Sequence, residues 1–371
     1  MHVSRLSLTN FRNYHSLDLE LQPGITIIYG ENAQGKTNLL EAIYLVATAR
    51  SHRATAEREL IGWSAWSESP ALARVFSRVN RSQDKLQVEV FLIGQDTETA
   101  NENGNGLLME AAPYLPVSSG RVQRRIKING LARNVSGLVG QVKVVMFAPQ
   151  DIDLVGGAPS LRRRYLDVAG SLLDNRYLRA LQRYSRVLLQ RNHLLRLIQE
   201  QGSPADQLEF WDSELAQHGS YIVTQRQHML DGVGEEALAL HSLISGGGEK
   251  LALVYAPALG DTASEDAPQL GSQQEVRQAM LHALQRARSR EIAQGMTVVG
   301  PHRDDLRLMV NGINMGIYGS RGQQRSVAIS VKLAETRYIA RESGEQPILL
   351  LDDVFSELDR ICPPNTILAS N

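Results

Sequence analysis

Eight consecutive residues near the N-terminus have the types and spacing of a phosphate-binding loop. Gly30-Glu31-Asn32-Ala33-Gln34-Gly35-Lys36-Thr37 matches the pattern G-x-x-x-x-G-K-[ST] at every fixed position. The glycines of such a loop let backbone N–H groups converge on phosphate oxygens, and the helix that follows adds positive partial charge. We expect Lys36 to bridge the β- and γ-phosphates as a catalytic residue, and the Thr37 hydroxyl to bind Mg²⁺. A chance glycine turn is the alternative, but the flanking sequence disfavours it.

An acidic pair near the C-terminal end could complete this site. The apolar run Ile348-Leu349-Leu350-Leu351 predicts a buried strand that ends at Asp352 and Asp353. We expect the strand to carry Asp352 beside Thr37 as a magnesium ligand, with Asp353 as the general base that orients water. The alternative is a strand that ends in a solvated acidic turn. Small kinases hold these two motifs much closer, so the separation indicates an ATPase head interrupted by an inserted arm.

A third segment, Tyr318 to Arg325, has the types expected where a helix begins. Ser320 is predicted to cap a helix that carries the apolar residues of 327–333. Gly322 would let the backbone approach an anion. By contrast, His302-Arg303-Asp304-Asp305 offers one histidine and two acids without a further ligand at metal spacing, so we interpret it as a structural turn.

The elements that position these residues follow from hydrophobic patterning. Alternation predicts strands at 3–8 and 17–21, and the β-branched run Ile25 to Tyr29 predicts a strand buried on both faces. A helix is predicted from Asn38. Further short alternating runs predict a meander of strands, and 95–120 is predicted to be a long surface loop. These runs are 73–79, 86–93, 125–128 and 142–147.

The period becomes helical between about 160 and 290. One predicted helix runs through Leu181 to Ile198, with Arg191 as a polar interruption of its apolar face. Ser203 is predicted to cap a second helix, which is followed by two further helices and then by a return to strand. The last two helices are predicted at 235–244 and 273–292, and the strand at 296–299.

Composition excludes several classes of protein. The chain has 371 residues, a net charge of −1 and one cysteine, Cys362. A disulfide scaffold, a zinc finger and DNA binding through overall charge are therefore excluded. No apolar run is long enough for a membrane span or a secretion signal, so we expect a cytoplasmic protein without a membrane partner. Local arginine clusters at 121–127, 162–164 and 286–290 are candidate DNA contacts, although a solvated helix face is the simpler interpretation of any one cluster.

Taken together, the chain resembles the bacterial RecF family of DNA replication and repair proteins, which is related to the ATPase heads of the SMC and Rad50 families. The phosphate-binding loop alone indicates an NTPase, and the other segments narrow the class to an ABC-type head of this family. The resemblance rests on FRNY at 11–14, GENAQGKTNLLEAIYL at 30–45, GPHRDDL at 300–306, YGSRGQQR at 318–325 and LLLDDVFSELD at 349–359.

For the fold, the resemblance implies an α/β protein: an ABC/SMC-type P-loop ATPase head with an inserted, mostly helical arm domain. The expected head is discontinuous over 1–158 and 295–371, and the expected arm is 159–294. For the site, the resemblance implies that ATP and Mg²⁺ lie between two protomers. Ser320, Gly322 and Gln323 would contact ATP in trans, Arg12 would contact a phosphate, and ATP binding would create a homodimer.

For function, the resemblance implies a DNA repair and replication protein of the SOS response. It would bind single-strand/double-strand DNA junctions as an ATP-bound dimer and, with a RecR-type mediator, promote RecA loading at gaps. We expect at most a weak, DNA-stimulated ATPase. An ATP-gated DNA-binding module without significant hydrolysis and a metabolic P-loop kinase stay open as alternatives. After Asp359, RICPPNTILASN shows neither the helix nor the further strand of such heads, so we expect ATP binding to be retained better than hydrolysis.

Overall fold

The structure, a computed structural model, describes residues 1–95, 122–259, 271–353 and 366–369. These residues form two compact units, one made of 1–95, 122–151, 335–353 and 366–369, the other of 152–259 and 271–334. Residues 295–334 therefore lie in the second unit, although they were expected in the head. The predicted loop at 95–120 falls almost wholly outside the described residues, and the predicted domain boundaries stay a prediction.

Strands and helices follow one another along the described residues. In chain order, the strands are β1 (His2–Phe11), β2 (Tyr14–Glu20), β3 (Thr26–Ile28), β4 (Ala71–Asn80), β5 (Lys85–Gly94), β6 (Val122–Ile128), β7 (Leu131–Arg133), β8 (Val144–Phe147), β9 (Leu251–Ala256), β10 (Asp305–Val310), β11 (Ile313–Asn314), β12 (Ile348–Asp352) and β13 (Thr366–Ala369). The α-helices are α1 (Lys36–Thr48), α2 (Val135–Leu138), α3 (Asp153–Gly156), α4 (Pro159–Leu173), α5 (Asn175–Gln201), α6 (Leu208–Ile244), α7 (Gln273–Gln294), α8 (Met315–Tyr318) and α9 (Arg321–Ser343).

The first unit contains an antiparallel sheet of six strands in the order β2-β1-β4-β5-β6-β7. Along β4 and β5, buried residues alternate with partly exposed ones, as expected when one sheet face is covered and the other meets solvent. The predicted meander is confirmed for β4, β5 and β6, which pair consecutively. The prediction is wrong for β8, because that strand belongs to the other sheet of this unit.

The second sheet of this unit is parallel, in the order β3-β13-β12-β8. The first and last strands of the phosphate-site motifs thus share one sheet, as the prediction of a discontinuous domain requires. The expectation that no strand follows Asp359 is wrong, since β13 pairs in parallel with both β12 and β3. β8 and β12 are buried at every residue, as is typical of parallel strands covered on both faces.

The strand β3 departs from its prediction. Ile25, Ile27 and Tyr29 are 55%, 61% and 86% exposed, so the prediction that this strand is buried on both faces is wrong. The reason is position, because β3 lies at the edge of the parallel sheet and is only three residues long. Alternate residues of an edge strand can face solvent even when their sequence is apolar.

Helix α1 packs against strands of both sheets of the first unit. Its residues from Leu39 to Thr48 are all buried, including the carboxylate of Glu41. A helix that is apolar on nearly every side has to lie inside a core, and this one does. The packing fixes the direction in which its first turn, at Lys36 and Thr37, points.

Three long helices of the second unit, α5, α6 and α7, pack against one another. Arg191, the predicted interruption in α5, is fully buried and joins all three helices. Its Nε donates to Asp212 Oδ1 of α6 and its Nη2 to Glu291 Oε2 of α7, both at 2.7 Å. The polar residue on the apolar face is thus an internal ion-pair centre.

Two helix predictions in this unit were wrong. The helices predicted after Ser203 and at 235–244 are one continuous helix, α6, which contains Gly232 and Gly234. A glycine inside a helix costs about 1 kcal/mol relative to alanine, which packing against α5 and α7 readily offsets. Ser203 is not a cap, because a short turn begins at Ala205 and α6 itself begins at Leu208.

The strand predicted at 296–299 is also wrong, because this segment bends. The Thr297 N–H donates to Asn192 Oδ1 at 2.8 Å, and the Val298 N–H to Glu291 Oε1 at 2.7 Å. Side chains satisfy these donors, so no neighbouring strand is required. The unit has instead a small antiparallel sheet, β11-β10-β9, that the sequence patterning did not reveal.

No helix within the described ranges is long and apolar enough to cross a membrane.

Candidate nucleotide-binding site

The predicted phosphate-binding loop joins β3 to α1 and is exposed from Gly30 to Gln34. Gly30, Ala33 and Gly35 have positive φ angles of 151°, 65° and 101°. A Cβ at Gly35 would also lie 2.6 Å from the Asn13 side chain, so this position requires glycine for two reasons. The loop thus presents its backbone at the N-terminus of α1, where an anion is stabilised.

The Lys36 side chain folds back along this loop. Its Nζ donates to the carbonyl oxygens of Gly30 at 2.6 Å and of Glu31 at 2.9 Å, and the residue is 9% exposed. An ammonium has three N–H donors, and these bonds use two of them. The positive charge is thereby fixed within the curve of the loop, where phosphate oxygens would be held.

Thr37 and Asp352 meet at the C-terminal end of β12, as predicted. The Thr37 hydroxyl donates to Asp352 Oδ1 at 2.9 Å across 315 positions of sequence. Burial raises the pKa of Asp352, helped by the charge of Asp353 and opposed by the Thr37 hydrogen bond and by the Arg53 and Lys36 charges. A hydroxyl and a carboxylate are oxygen ligands of the kind that Mg²⁺ prefers. The juxtaposition is confirmed, and the role as metal ligands stays a prediction.

Asp353 follows directly and has a different environment. It is exposed, and its φ angle of 51° lies in the left-handed region. That conformation turns the chain out of β12 immediately after the buried Asp352. The Asp352 carboxylate is therefore buried at the end of β12, and the Asp353 carboxylate is exposed to solvent. The catalytic role of Asp353 stays a prediction.

The FRNY turn between β1 and β2 holds Arg12 against α1. The Arg12 Nε and Nη2 donate to the two oxygens of Glu41 at 2.8 and 2.7 Å, and its Nη1 donates to the Glu59 carbonyl at 3.0 Å. Burial tends to raise the pKa of Glu41, but hydrogen bonds from Arg12 and Ser51 and the nearby positive charges lower it overall. Three of the five Arg12 donors are committed in this way, and its phosphate contact stays a prediction.

Sequence reasoning missed three residues that support the loop. Asn13 Nδ2 donates to the Gln34 carbonyl at 3.1 Å, and Asn38 Nδ2 donates to Asn13 Oδ1 at 2.7 Å. The Arg53 Nη2 then donates to Asn38 Oδ1 at 2.7 Å. The FRNY segment was a usable signal for Asn13, whereas nothing in the spacing of Asn38 and Arg53 pointed to this chain of hydrogen bonds.

The predicted trans segment lies in the second unit. Ser320 Oγ accepts a hydrogen bond from the Gln323 N–H at 3.3 Å, and Gln323 Oε1 accepts one from the Ser320 N–H at 3.0 Å. This reciprocal pair confirms Ser320 as the cap of α9. A Cβ at Gly322 would meet no atom within 4 Å, so the backbone there is open to a close approach. The roles of Ser320, Gly322 and Gln323 in trans stay predictions.

The segment 302–305 forms a turn with saturated hydrogen bonds. Asp304 is fully buried and accepts bonds from Arg226 Nη1 at 3.0 Å, the Ala258 N–H at 2.8 Å and the Tyr255 hydroxyl. Asp305 receives the forked guanidinium of Arg162. Among the described residues, no group of three or more acidic, histidine or cysteine side chains could hold a metal ion. These contacts support the structural interpretation of this motif.

Several arginines of the candidate DNA clusters have partners inside their own unit. Arg124 donates to the Ala49 carbonyl and to Glu57, and Arg288 donates to Asp212 at 2.9 Å. Arg162 is paired as described above, and Arg163 Nη1 donates to the Asp304 carbonyl at 2.9 Å. These contacts indicate a structural role for four arginines that the charge clusters had suggested as DNA contacts.

Comparison with known proteins gives a consistent result. The family described as RecF/RecN/SMC N terminal domain matches residues 2–363. The DNA replication and repair protein RecF of Roseiflexus castenholzii is 42% identical over 365 residues, which cover 97% of this chain and 88% of that protein. The protein of the same name from Bacillus cytotoxicus is 38% identical over 360 residues, covering 97% and 86%.

Two solved structures resemble the whole chain. Both are described as the recombination mediator protein RecF in the RecFOR pathway, one with ATPrS and one with ATP. Each is 30% identical to this chain and covers 100% of it, with 92% of the solved chain matched. The TM-scores are 0.83 and 0.84, respectively.

Proposed function

The chain belongs to the RecF family, and we propose that it is an ATP-dependent DNA-binding protein of recombinational repair and replication. The observation that carries the proposal is the hydrogen bond between Thr37 and Asp352, which joins the phosphate-binding loop to the acidic strand end. Relatives named as DNA replication and repair proteins, and a similar solved structure with ATP, support the same function.

The residues of the site fit ATP with Mg²⁺. Magnesium would neutralise charge on the phosphates, and the Thr37 and Asp352 oxygens would hold it. The loop from Gly30 to Gly35 would bind phosphate oxygens through its backbone, and Lys36 would place its ammonium against them. Arg12, fixed by Glu41, would direct its remaining donors to phosphate.

Dimerisation is the second part of the proposal. The phosphate-binding loop of one copy would hold the nucleotide from one side. The start of α9 in a second copy, with its open backbone at Gly322 and its Ser320 cap, would contact the phosphates from the other side. Ser320, Gly322 and Gln323 would then complete a site that each protomer lacks alone. ATP binding would join two copies, and DNA junctions, a RecR-type mediator and RecA are the proposed partners of that dimer.

A mixing experiment tests this arrangement. Ser320→Arg should leave ATP binding by the monomer nearly unchanged and eliminate the ATP-induced dimer, because the larger side chain blocks the approach of the partner's phosphates. Lys36→Ala should also fail to dimerise at an ATP concentration that just saturates the wild type, because its ATP affinity is lower. Mixing the two variants creates dimers with one intact composite site, so sedimentation with ATP should show association that neither variant shows alone. Normal dimerisation of Ser320→Arg would contradict the proposal.

Hydrolysis is tested separately. Asp353→Asn keeps the size of the side chain and loses its ability to accept a proton, so it should bind ATP and remain dimeric. Single-turnover ATP cleavage with and without gapped duplex DNA compares this variant with the wild type. Cleavage at the wild-type rate would exclude Asp353 as the base. An absence of cleavage by the wild type would favour the ATP-gated binding module, and stimulation by a metabolite rather than DNA would favour a kinase.

A further inference from the structure

The antiparallel sheet of the first unit has a face that turns away from α1, which we call the outer face. On β4, β5 and β6, alternate side chains point to it and are partly or largely exposed. None of the nucleotide-site motifs uses this face. Its central side chains are Arg74, Phe76 and Arg78 on β4, Glu89 and Phe91 on β5, and Arg125 and Lys127 on β6.

The two aromatic rings of the outer face lie among the basic side chains. Phe91 is directly opposite Arg74 on one neighbouring strand and Arg125 on the other. The Arg74 guanidinium lies 5.4 Å from the Phe76 ring centre and 5.9 Å from that of Phe91, and Lys127 Nζ lies 5.5 Å from the Phe91 ring centre. The cationic groups of Arg74 and Lys127 therefore cover the partly exposed rings of Phe76 and Phe91. Because arginine and lysine side chains are long and flexible, they can move aside and expose the rings to a ligand.

The charge of the outer face differs from that of the whole chain. The chain carries a net charge of −1, whereas the central outer face has four basic side chains and one carboxylate, Glu89. Glu89 is paired with Arg74. Arg78, Arg125 and Lys127 extend the positive charge over the three strands. A polyanion is the ligand that complements this surface.

We propose that the outer face binds single-stranded DNA, with unpaired bases stacked on Phe91 and Phe76 and phosphates at Arg78, Arg125 and Lys127. A sheet that presents aromatic rings suits unpaired bases because every base has a π face. The bases of a duplex stay stacked on one another and cannot use the rings. The assignment rests on the proposed function for its ligand, DNA, and adds the surface that would hold the single-stranded part of a junction.

The test measures the affinity of a fluorescent 20-residue thymidine oligomer at saturating ATP. Phe91→Ala should weaken binding about tenfold through lost stacking, and Phe91→Trp should retain it. The double charge reversal Arg125→Glu/Lys127→Glu, at two exposed positions of β6, should weaken binding further. It should also lower the salt slope of the logarithmic affinity by about 0.7 for each cation removed. The affinity of a blunt duplex should change less than twofold in Phe91→Ala.

The matched control is Arg179→Glu/Arg186→Glu, which makes the same charge change at two exposed positions of α5. It should bind the oligomer within twofold of wild type. Ultraviolet cross-linking of the bound oligomer gives an independent readout, and attachment to Phe76 or Phe91 supports the proposal. Attachment only elsewhere, or equal affinities of wild type and the outer-face variants, overturns it.

Other outcomes separate the two proposals. If wild type binds a gapped duplex but the outer-face variants bind the oligomer normally, the outer-face proposal is wrong and the proposed function stands. If wild type binds neither DNA, the proposed function fails and the outer-face proposal with it. If the variants lose only the binding of a RecR-type mediator, the outer face is a protein-docking surface and the DNA assignment is wrong.

Discussion

The nucleotide-site edge of the first unit and the turn at 302–305 of the second unit use the same kinds of side chain in opposite ways. In the turn, Asp304 and its partner Arg226 of α6 are almost completely buried, and hydrogen bonds within the protein satisfy them. At the edge, Lys36 bonds to loop carbonyls, while Asp353 and the loop itself face solvent. A saturated network indicates a structural role, and an exposed backbone loop with a positive charge fixed beside it indicates an anionic ligand.

The cost of desolvation explains why a buried, saturated network indicates a structural role and an exposed site indicates a ligand. A buried charge is costly unless it is paired and hydrogen-bonded, so a buried Arg–Asp network persists only when nearly every donor has an acceptor. Arg226 meets this condition through Asp167, Asp304, the Tyr177 hydroxyl and the Pro301 carbonyl. A site for a charged ligand must instead leave some hydrogen-bond donors or acceptors available to the ligand. The comparison therefore predicts loss of stability in one region and loss of binding in the other.

The largest effect is expected for Arg226→Leu. Removing the guanidinium leaves Asp167 and Asp304 buried without their charge partner, which should lower the free energy of unfolding by about 3–5 kcal/mol. Urea unfolding followed by circular dichroism measures the change. Arg179→Leu, on the exposed face of α5, is the matched control and should stay within about 0.5 kcal/mol of wild type. A loss below about 1 kcal/mol for Arg226→Leu would show that the network is not the structural centre of its unit.

The second effect concerns the edge, where binding and not stability should change. Lys36→Ala removes at least one charge-assisted hydrogen bond to phosphate, worth about 1.5–3 kcal/mol, so ATP affinity should fall by at least roughly 10- to 150-fold. Its free energy of unfolding should change little, because only loop carbonyls lose a partner. Calorimetric titration with ATP measures the affinity, and Lys250→Ala, an exposed lysine, is the control. Unchanged affinity would remove the basis for the nucleotide site.

The sequence predicted the edge better than it predicted the turn. The spacing of Gly30 to Thr37 and the apolar run before Asp352 depend on local chemistry, so both the loop and its meeting with Asp352 were foreseen. The partners of Asp304 come from α6 and β9, and no local pattern reveals a network that packing assembles from distant segments.

Errors in the predicted elements have the same origin. The continuity of α6 through Gly232 and Gly234 depends on packing against other helices, which a local propensity does not include. The bend at 296–299 depends on side chains of α5 and α7 that bind its backbone N–H groups. The exposure of Ile27 follows from the edge position of β3, which strand order and not composition decides.

A pH titration offers a further contrast within the turn. His302 Nε2 lies 3.1 Å from the Thr297 carbonyl, which must accept, so Nδ1 accepts from the Tyr184 hydroxyl at 2.7 Å in the neutral ring. Burial lowers the pKa of His302 to about 3, with smaller contributions from the charges of Arg303, Arg163 and Arg191. The unfolded chain therefore binds this proton first as the pH falls. The stabilising contribution is complete above about pH 6.5 and is lost between there and pH 3.

The expected loss is at most about 1.4 kcal/mol for each pH unit below 6.5 from this residue. Urea unfolding of wild type and His302→Gln from pH 7.5 to 5.0 isolates it, since glutamine does not titrate and should give a flatter profile. Identical slopes for wild type and His302→Gln would exclude a buried neutral histidine at this position.

The smallest effect is expected at Ser320, where a structural and a ligand role meet in one side chain. Ser320→Ala removes the acceptor for the Gln323 N–H and should lower the free energy of unfolding by about 1 kcal/mol. Ser320→Asp keeps an N-cap acceptor and should be close to wild type in stability. Its carboxylate would nevertheless repel the γ-phosphate of ATP bound by a partner protomer, so the ATP-induced dimer should weaken although the fold is not destabilised.

Urea unfolding and sedimentation with ATP, made on both variants, separate the two roles of Ser320. If Ser320→Asp dimerises as wild type does, the Ser320 hydroxyl serves only as a helix cap and has no role toward a ligand.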